Sequence, residues 1–142
     1  MNDAAFATEH GYFEHGADVG VIGRGARVED AFVAAARAVF ALVTRLEQVR
    51  PIDRLELAFE EGDVELALVS WLNLLIAHAA ERGLALGAFG LHREGGRWRG
   101  EAWGEPWREG LERGIDVKGA TLTMLSVKPT EGGWEARCVV DV

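Results

Sequence analysis

Apolar residues recur along this chain with two different periods. Val28, Ala31, Phe32, Ala35, Val39 and Leu42 return every three or four positions, which predicts an amphipathic helix. Glu29 and Asp30 fall in its first turn, where the helix dipole favours acids, but no Ser, Thr, Asp or Asn precedes it as a cap. Pro51 ends any helical continuation. Leu55, Leu57 and Phe59 then alternate with charged neighbours, the period of a strand with one exposed face. A second helix starts at the capping Asp63. Its core side is read as Leu66, Val69, Leu72, Asn73, Ile76 and Ala80, widened by Leu68, Trp71, Leu74 and Leu75, and Gly83 supplies the stop.

The flanks read as strands. Tyr12–His15 and Asp18–Gly23 are extended, with Gly16 permitting a bulge or tight turn, and residues 1–11 read as a flexible leader. Segments around Leu86–His92 and Trp98–Trp103 flank a hairpin connection at 93–97. Gly104–Gly114 reads as a long loop, Asp116–Lys128 as one long strand, and Trp134–Val142 as the last strand. The expected fold class is α+β: one domain over 12–142, in two layers, with a mixed or antiparallel sheet packed against two helices.

Composition narrows the function classes. A chain of 142 residues and 15.5 kDa is long enough for a real core, with about 7,200 Å² of folded surface expected. Its one cysteine, Cys138, rules out an intramolecular disulfide and a thiolate zinc cluster, and favours a reducing, cytoplasmic setting. The net charge of −8 argues against strong direct nucleic-acid binding. The N-terminal stretch has no basic segment followed by an apolar run. Val64–Ala80 is interrupted by Glu65, Ser70, Asn73 and His78, and reads as too short and too polar to span a membrane.

Most familiar chemistries fail. Gly20, Gly23 and Gly25 match neither a phosphate loop nor a dinucleotide fingerprint. Ser70 and Ser126 sit in ordinary helix and strand patterns, and strand alternation makes Cys138 a core position. The stretch YFEHGADVG is different. It sets His15 and Asp18 three residues apart among small residues, and imidazole and carboxylate both ligate metals. Two such groups alone do not make a site.

Taken with that stretch, the chain resembles the archease family. The similarity continues through Val28–Thr44, Val69-Ser70-Trp71-Leu72-Asn73-Leu74-Leu75, Gly104-Glu105, Val117-Lys118-Gly119-Ala120-Thr121, Gly133-Trp134-Glu135-Ala136 and the terminal Val140-Asp141-Val142. The resemblance implies a non-catalytic accessory protein for the RNA ligase of tRNA splicing. Such a protein promotes guanylylation of the ligase from GTP and its multiple turnover, and meets GTP and RNA only through the ligase. It also implies a small acidic metal site, here Asp18 and Asp141, for Ca²⁺ or for Mn²⁺ or Mg²⁺, with Lys118 at the family's lysine position.

Two neighbouring carboxylates repel unless a cation, a proton or a basic group neutralises them. Lys118 either neutralises the pair or presents its charge to the ligase. The chain departs from the family pattern at three places: Arg45 stands where an aspartate is usual, Leu111-Glu112 where an Arg-His pair is usual, and Thr123 where a histidine is frequent. Arg45 is therefore a competitor of the metal, through a direct ion pair with the acids. The alternatives are a protein-binding module of this fold that has lost ligase activation, and, more remotely, a metal-dependent hydrolase.

Overall fold

The computed structural model describes residues 8–142. A hairpin opens it: β1 (Thr8–His15) and β2 (Asp18–Gly25) are joined by Gly16-Ala17, and Gly16 takes the positive φ of 62° that the tight turn requires. The strand thus begins four residues before Tyr12. Thr8–Gly11, expected in the leader, pair with Ile22–Gly25. Their polar residues and glycine hid the strand because an edge strand is held by its backbone ladder rather than by burial. Residues 1–7 of the expected leader lie outside the described residues.

Helix α1 (Val28–Val43) follows, capped without a capping residue type. The Arg27 backbone N–H donates to Asp30 Oδ2 at 3.1 Å, while the Arg27 guanidinium pairs with the same carboxylate. Gly23 lets α1 approach β2 closely, since a Cβ there would lie 2.1 Å from the Ala31 carbonyl oxygen. A single 3₁₀ turn (Leu46–Gln48) leads to β3 (Asp53–Glu60), and α2 runs over Val64–Arg82. Asp63 Oδ1 accepts from the Glu65 and Leu66 N–H groups, and Gly83 ends α2 in the left-handed conformation, as the sequence predicts. The buried face of α2 is Leu68, Trp71, Leu72, Leu75 and Ala79, rotated from the expected stripe, so that Leu66 and Ala80 face solvent. Its 19 residues are long and apolar enough to cross a membrane by length and composition, contrary to the sequence reading. Its apolar face is instead spent on the protein core.

The hairpin β4 (Leu84–Glu94) and β5 (Arg97–Pro106) turns at Gly95-Gly96. Beyond it the expected long strand breaks in two: β6 is only Gly119–Ala120, and β7 is Ser126–Thr130, before β8 (Gly133–Asp141). Val117, Thr121, Thr123 and Val127 gave a strand signal, but threonine hydroxyls can compete with a ladder. Thr121 Oγ1 donates to the Val139 carbonyl at 2.8 Å and accepts from the Thr123 N–H at 3.2 Å, closing a local turn.

The α+β class holds, and every strand pairing is antiparallel. The strands form two sheets rather than one: β1-β2-β8-β6 with β7 also on β8, and β3-β5-β4. Alanine-rich α1 lies between them, touching β1, β2 and β8 of the first and β4 of the second. Ala31, Ala35, Ala36 and Ala38 have no exposure, which is what a helix wrapped on nearly all sides demands. Phe32 stacks on Trp98 with ring centroids 5.2 Å apart, and Trp71 Nε1 donates to the Phe32 carbonyl at 2.9 Å. The accessible surface, 7535 Å², is close to the value expected from mass.

Candidate functional site

Three of the sequence-derived positions converge on one end of the larger sheet. His15 pairs with Asp18 across the first hairpin, and Val19 pairs with Val140. Asp18 and Asp141 each stand one residue beyond that pair, so the antiparallel register, continued by one step, brings them across from one another on one face of the sheet. On that strand the alternate positions Gly23 and Val21 turn toward the core, so Asp18 and Asp141 take the face away from α1. His15, Asp18 and Asp141 therefore form a row across β1, β2 and β8. His15 and Asp141 are exposed and Asp18 is half-buried.

Lys118 arrives from the other side. Its backbone N–H donates to the Asp141 carbonyl at 2.8 Å, and Gly119 continues the row as the partner of Asp141. What holds this short edge strand is a side chain the sequence reading assigned only to the helix core. Asn73 of α2 accepts from the Ala120 N–H at 2.7 Å and donates to the Ala120 carbonyl at 3.1 Å, so its amide acts as a further strand partner. An amide among the expected core positions of α2 was the available signal, since such a group needs a hydrogen-bond partner.

Arg45 does not join the row. It lies in a cleft of about 500 Å³ with His10, Arg37, Glu47 and Glu112, which neither aspartate lines. Its Nε sits 2.9 Å from Glu112 Oε2. Among the described residues, neither Asp18 nor Asp141 has a cationic group within 4.0 Å. The proposed Arg45–carboxylate pair is replaced by one between two of the departure positions, 45 and 112. Thr44 Oγ1 also donates to the Glu112 carbonyl at 2.6 Å, so the reversal of charge is locally consistent. His10, in the same cleft, is held below the usual histidine range by burial and then by Arg37.

Hard cations seek oxygen, and Asp18 and Asp141 offer it, but two carboxylates are a partial shell for an ion that takes six or more ligands. Among the described residues, no three His, Cys, Asp or Glu side chains gather as a cluster. The pair therefore fits a weakly held ion whose other ligands are water, main-chain carbonyls or a partner's groups.

Glu105 is a buried carboxylate that the sequence reading did not single out beyond its place beside Gly104. It is only 2% exposed, and it accepts from Arg108 Nε and from the Arg50 backbone N–H, each at 2.6 Å. Arg108 and then Arg50 hold its carboxyl below the usual carboxylate range. Its ionised form therefore favours the fold above the unfolded pKa of about 4.3, and this contribution fades as pH falls through the lower folded value. Glu105→Gln is expected to lower the melting temperature at pH 7 and to flatten part of the acid-unfolding curve below pH 4.3. An unchanged acid profile, read by circular dichroism, would count against this role. Cys138, by contrast, is fully buried, its thiol pushed up to about 12 by burial, and it has the inert core position its alternation predicted.

The fold and site define a small α+β protein with a polar row at one sheet end. The family profile described as "Archease protein family (MTH1598/TM1083)" matches residues 10–142. The "Protein archease" of Saccharolobus solfataricus is 34% identical over 134 residues, covering 92% of this chain and 96% of that one. Its namesake in Aeropyrum pernix is 34% identical over 135 residues, covering 91% and 94%. The solution structure of Methanobacterium thermoautotrophicum protein 1598 superposes with a TM-score of 0.76 at 25% identity, covering 96% of this chain and 99% of that one. The chain belongs to the archease family, and as an archease it is an accessory protein rather than an enzyme.

Proposed function

We propose that this archease promotes guanylylation and multiple turnover of the RNA ligase of tRNA splicing, in the cytoplasm, through the Asp18–Asp141 end of its larger sheet. The observation that supports this reading is the pairing of Val19 with Val140, each one residue from an acid, together with the Lys118 N–H that donates to the Asp141 carbonyl. Family membership supports the general role, and GTP and RNA enter only through the ligase. Asp18 and Asp141 would hold a divalent ion, Ca²⁺ or else Mn²⁺ or Mg²⁺, which would relieve the repulsion between the two carboxylates. Lys118 presents a compact positive charge beside them. The Arg45–Glu112 pair favours retained activity over a module that has lost it, because it consumes the unusual charge away from the acids.

The test is the cognate ligase incubated with GTP, RNA ends and divalent metal, with and without this protein. Guanylylated ligase and sealed product per ligase molecule are expected to rise together when the protein is added. Equal yields in both arms would overturn the proposal, and recovery of a different stoichiometric partner would favour the lost-activation reading.

A further inference from the structure

The segment between β6 and β7 leaves the regular ladder while staying bonded to the edge of β8. It bulges from β8 and is fastened on both sides: the Thr121 N–H donates to the Val139 carbonyl at 3.0 Å, the Val139 N–H to the Thr123 carbonyl at 3.1 Å, and the Leu125 N–H to the Leu122 carbonyl at 3.3 Å. The loop is thus locally locked. Yet its apex turns two large apolar side chains outward, Leu122 at 64% exposure and Met124 at 55%. Met124 also has a φ of 55° and is the one non-glycine residue with positive φ among the described residues. A side chain in the left-handed region costs on the order of 1 kcal/mol or more. A rigid bulge that holds a strained methionine and a leucine in water works against folding stability on both counts, and such bulges serve to re-aim side chains.

We infer that Leu122 and Met124 are the apolar anchor by which this archease docks on the RNA ligase, an inference that rests on the function proposed above. The occupant follows from distance. Leu122 lies four residues beyond Lys118, so at about 3.3 Å per residue it is at most roughly 13 Å away. A specific interface covers about 800 Å² on each partner, a disc of roughly 16 Å radius. A ligase surface centred on Lys118 and Asp141 therefore covers the loop as well. The polar row supplies charge and register, and the loop supplies the desolvated contact that polar groups at a water-exposed sheet end do not. Leucine and methionine suit that task, methionine because its flexible thioether adapts to an apolar pocket.

The variants Leu122→Ser, Met124→Gly and the double variant test this, with ligase affinity measured by biolayer interferometry and stability by thermal melting. Each single change is expected to weaken binding about tenfold, and the double change more. Met124→Gly is expected to do so without lowering the melting temperature, because glycine accepts the left-handed backbone. Met124→Leu, which keeps apolar bulk, is expected to bind nearly as the parent does. A double variant that binds within twofold of the parent and still stimulates the ligase would overturn the anchor and leave the proposed function standing. A parent protein that neither binds nor stimulates the ligase would overturn both. Concentration-dependent dimers of the parent that vanish in the double variant, with ligase affinity unchanged, would reassign the loop to self-association and overturn the inference.

Discussion

Asp141→Asn is expected to reduce ligase stimulation to the level of the ligase alone while leaving the melting temperature of the archease within a degree or two. The two effects separate because Asp141 contributes to the fold through its backbone. Its carbonyl receives the Lys118 N–H at 2.8 Å, and its strand pairing with Gly119 involves no side chain. Asparagine keeps the shape and removes only the charge, and an exposed substitution of this kind typically changes stability by less than about 0.5 kcal/mol. Removing one of two facing carboxylates also removes their repulsion.

The same carboxylate is half of the proposed cation site. With so few protein ligands the parent should bind Ca²⁺ or Mn²⁺ weakly, with Kd on the order of 10⁻⁴–10⁻³ M. Asp18→Asn and Asp141→Asn should each abolish that binding in calorimetry. Arg45→Ala should leave it unchanged, since the guanidinium is occupied by Glu112 at 2.9 Å. Full stimulation by Asp141→Asn, with the variant folded, would remove the acid from the mechanism. Tighter metal binding by Arg45→Ala would restore that arginine as a competitor of the ion.

The readability of this chain follows the kind of force that holds each part. Periods set by burial were plain: α1 from Val28, the alternation of β3, and the capped start and glycine stop of α2 all lie where the residues put them. Features held by backbone or by single polar contacts were not. β1 begins at Thr8 because its ladder with β2 needs no apolar pattern, and the 116–128 segment breaks because Thr121 turns its hydroxyl to the backbone. The division into two sheets was hidden for a related reason. Only the packing of α1 on both sides separates the strands, and a helix rich in alanine carries almost no sign of which neighbours it will have. In the site, the acids stand at family positions, and the β2–β8 register brings their neighbours Val19 and Val140 together across the chain. Asn73 and Glu105 escaped notice because one hydrogen-bonded side chain in an apolar helix, or one acid after a glycine, has no periodic signature.

Trp71→Ala should be among the most damaging single substitutions, expected to cost about 3–5 kcal/mol. The indole has no exposure and joins three layers at once. Its Nε1 donates to the Phe32 carbonyl of α1 at 2.9 Å. Its six-membered ring occupies the space over Gly100 of β5, where a Cβ would come within 2.3 Å of Cζ3. Truncation therefore opens a cavity between α2 and the smaller sheet and removes the side-chain partner that the Phe32 carbonyl has across the core. Against a total stability of about 5–15 kcal/mol, that loss leaves a marginal protein. Chemical denaturation should show the midpoint falling sharply, and Trp71→Phe should recover part of the loss by refilling volume without restoring the hydrogen bond. Because α2 also carries Asn73, loosening this helix should free the Lys118–Ala120 edge before the whole chain unfolds. In Trp71→Phe, hydrogen exchange at the Ala120 amide should therefore accelerate more than exchange at the β2–β8 ladder. Equal acceleration at both would mean that Asn73 does not couple the core of α2 to the site.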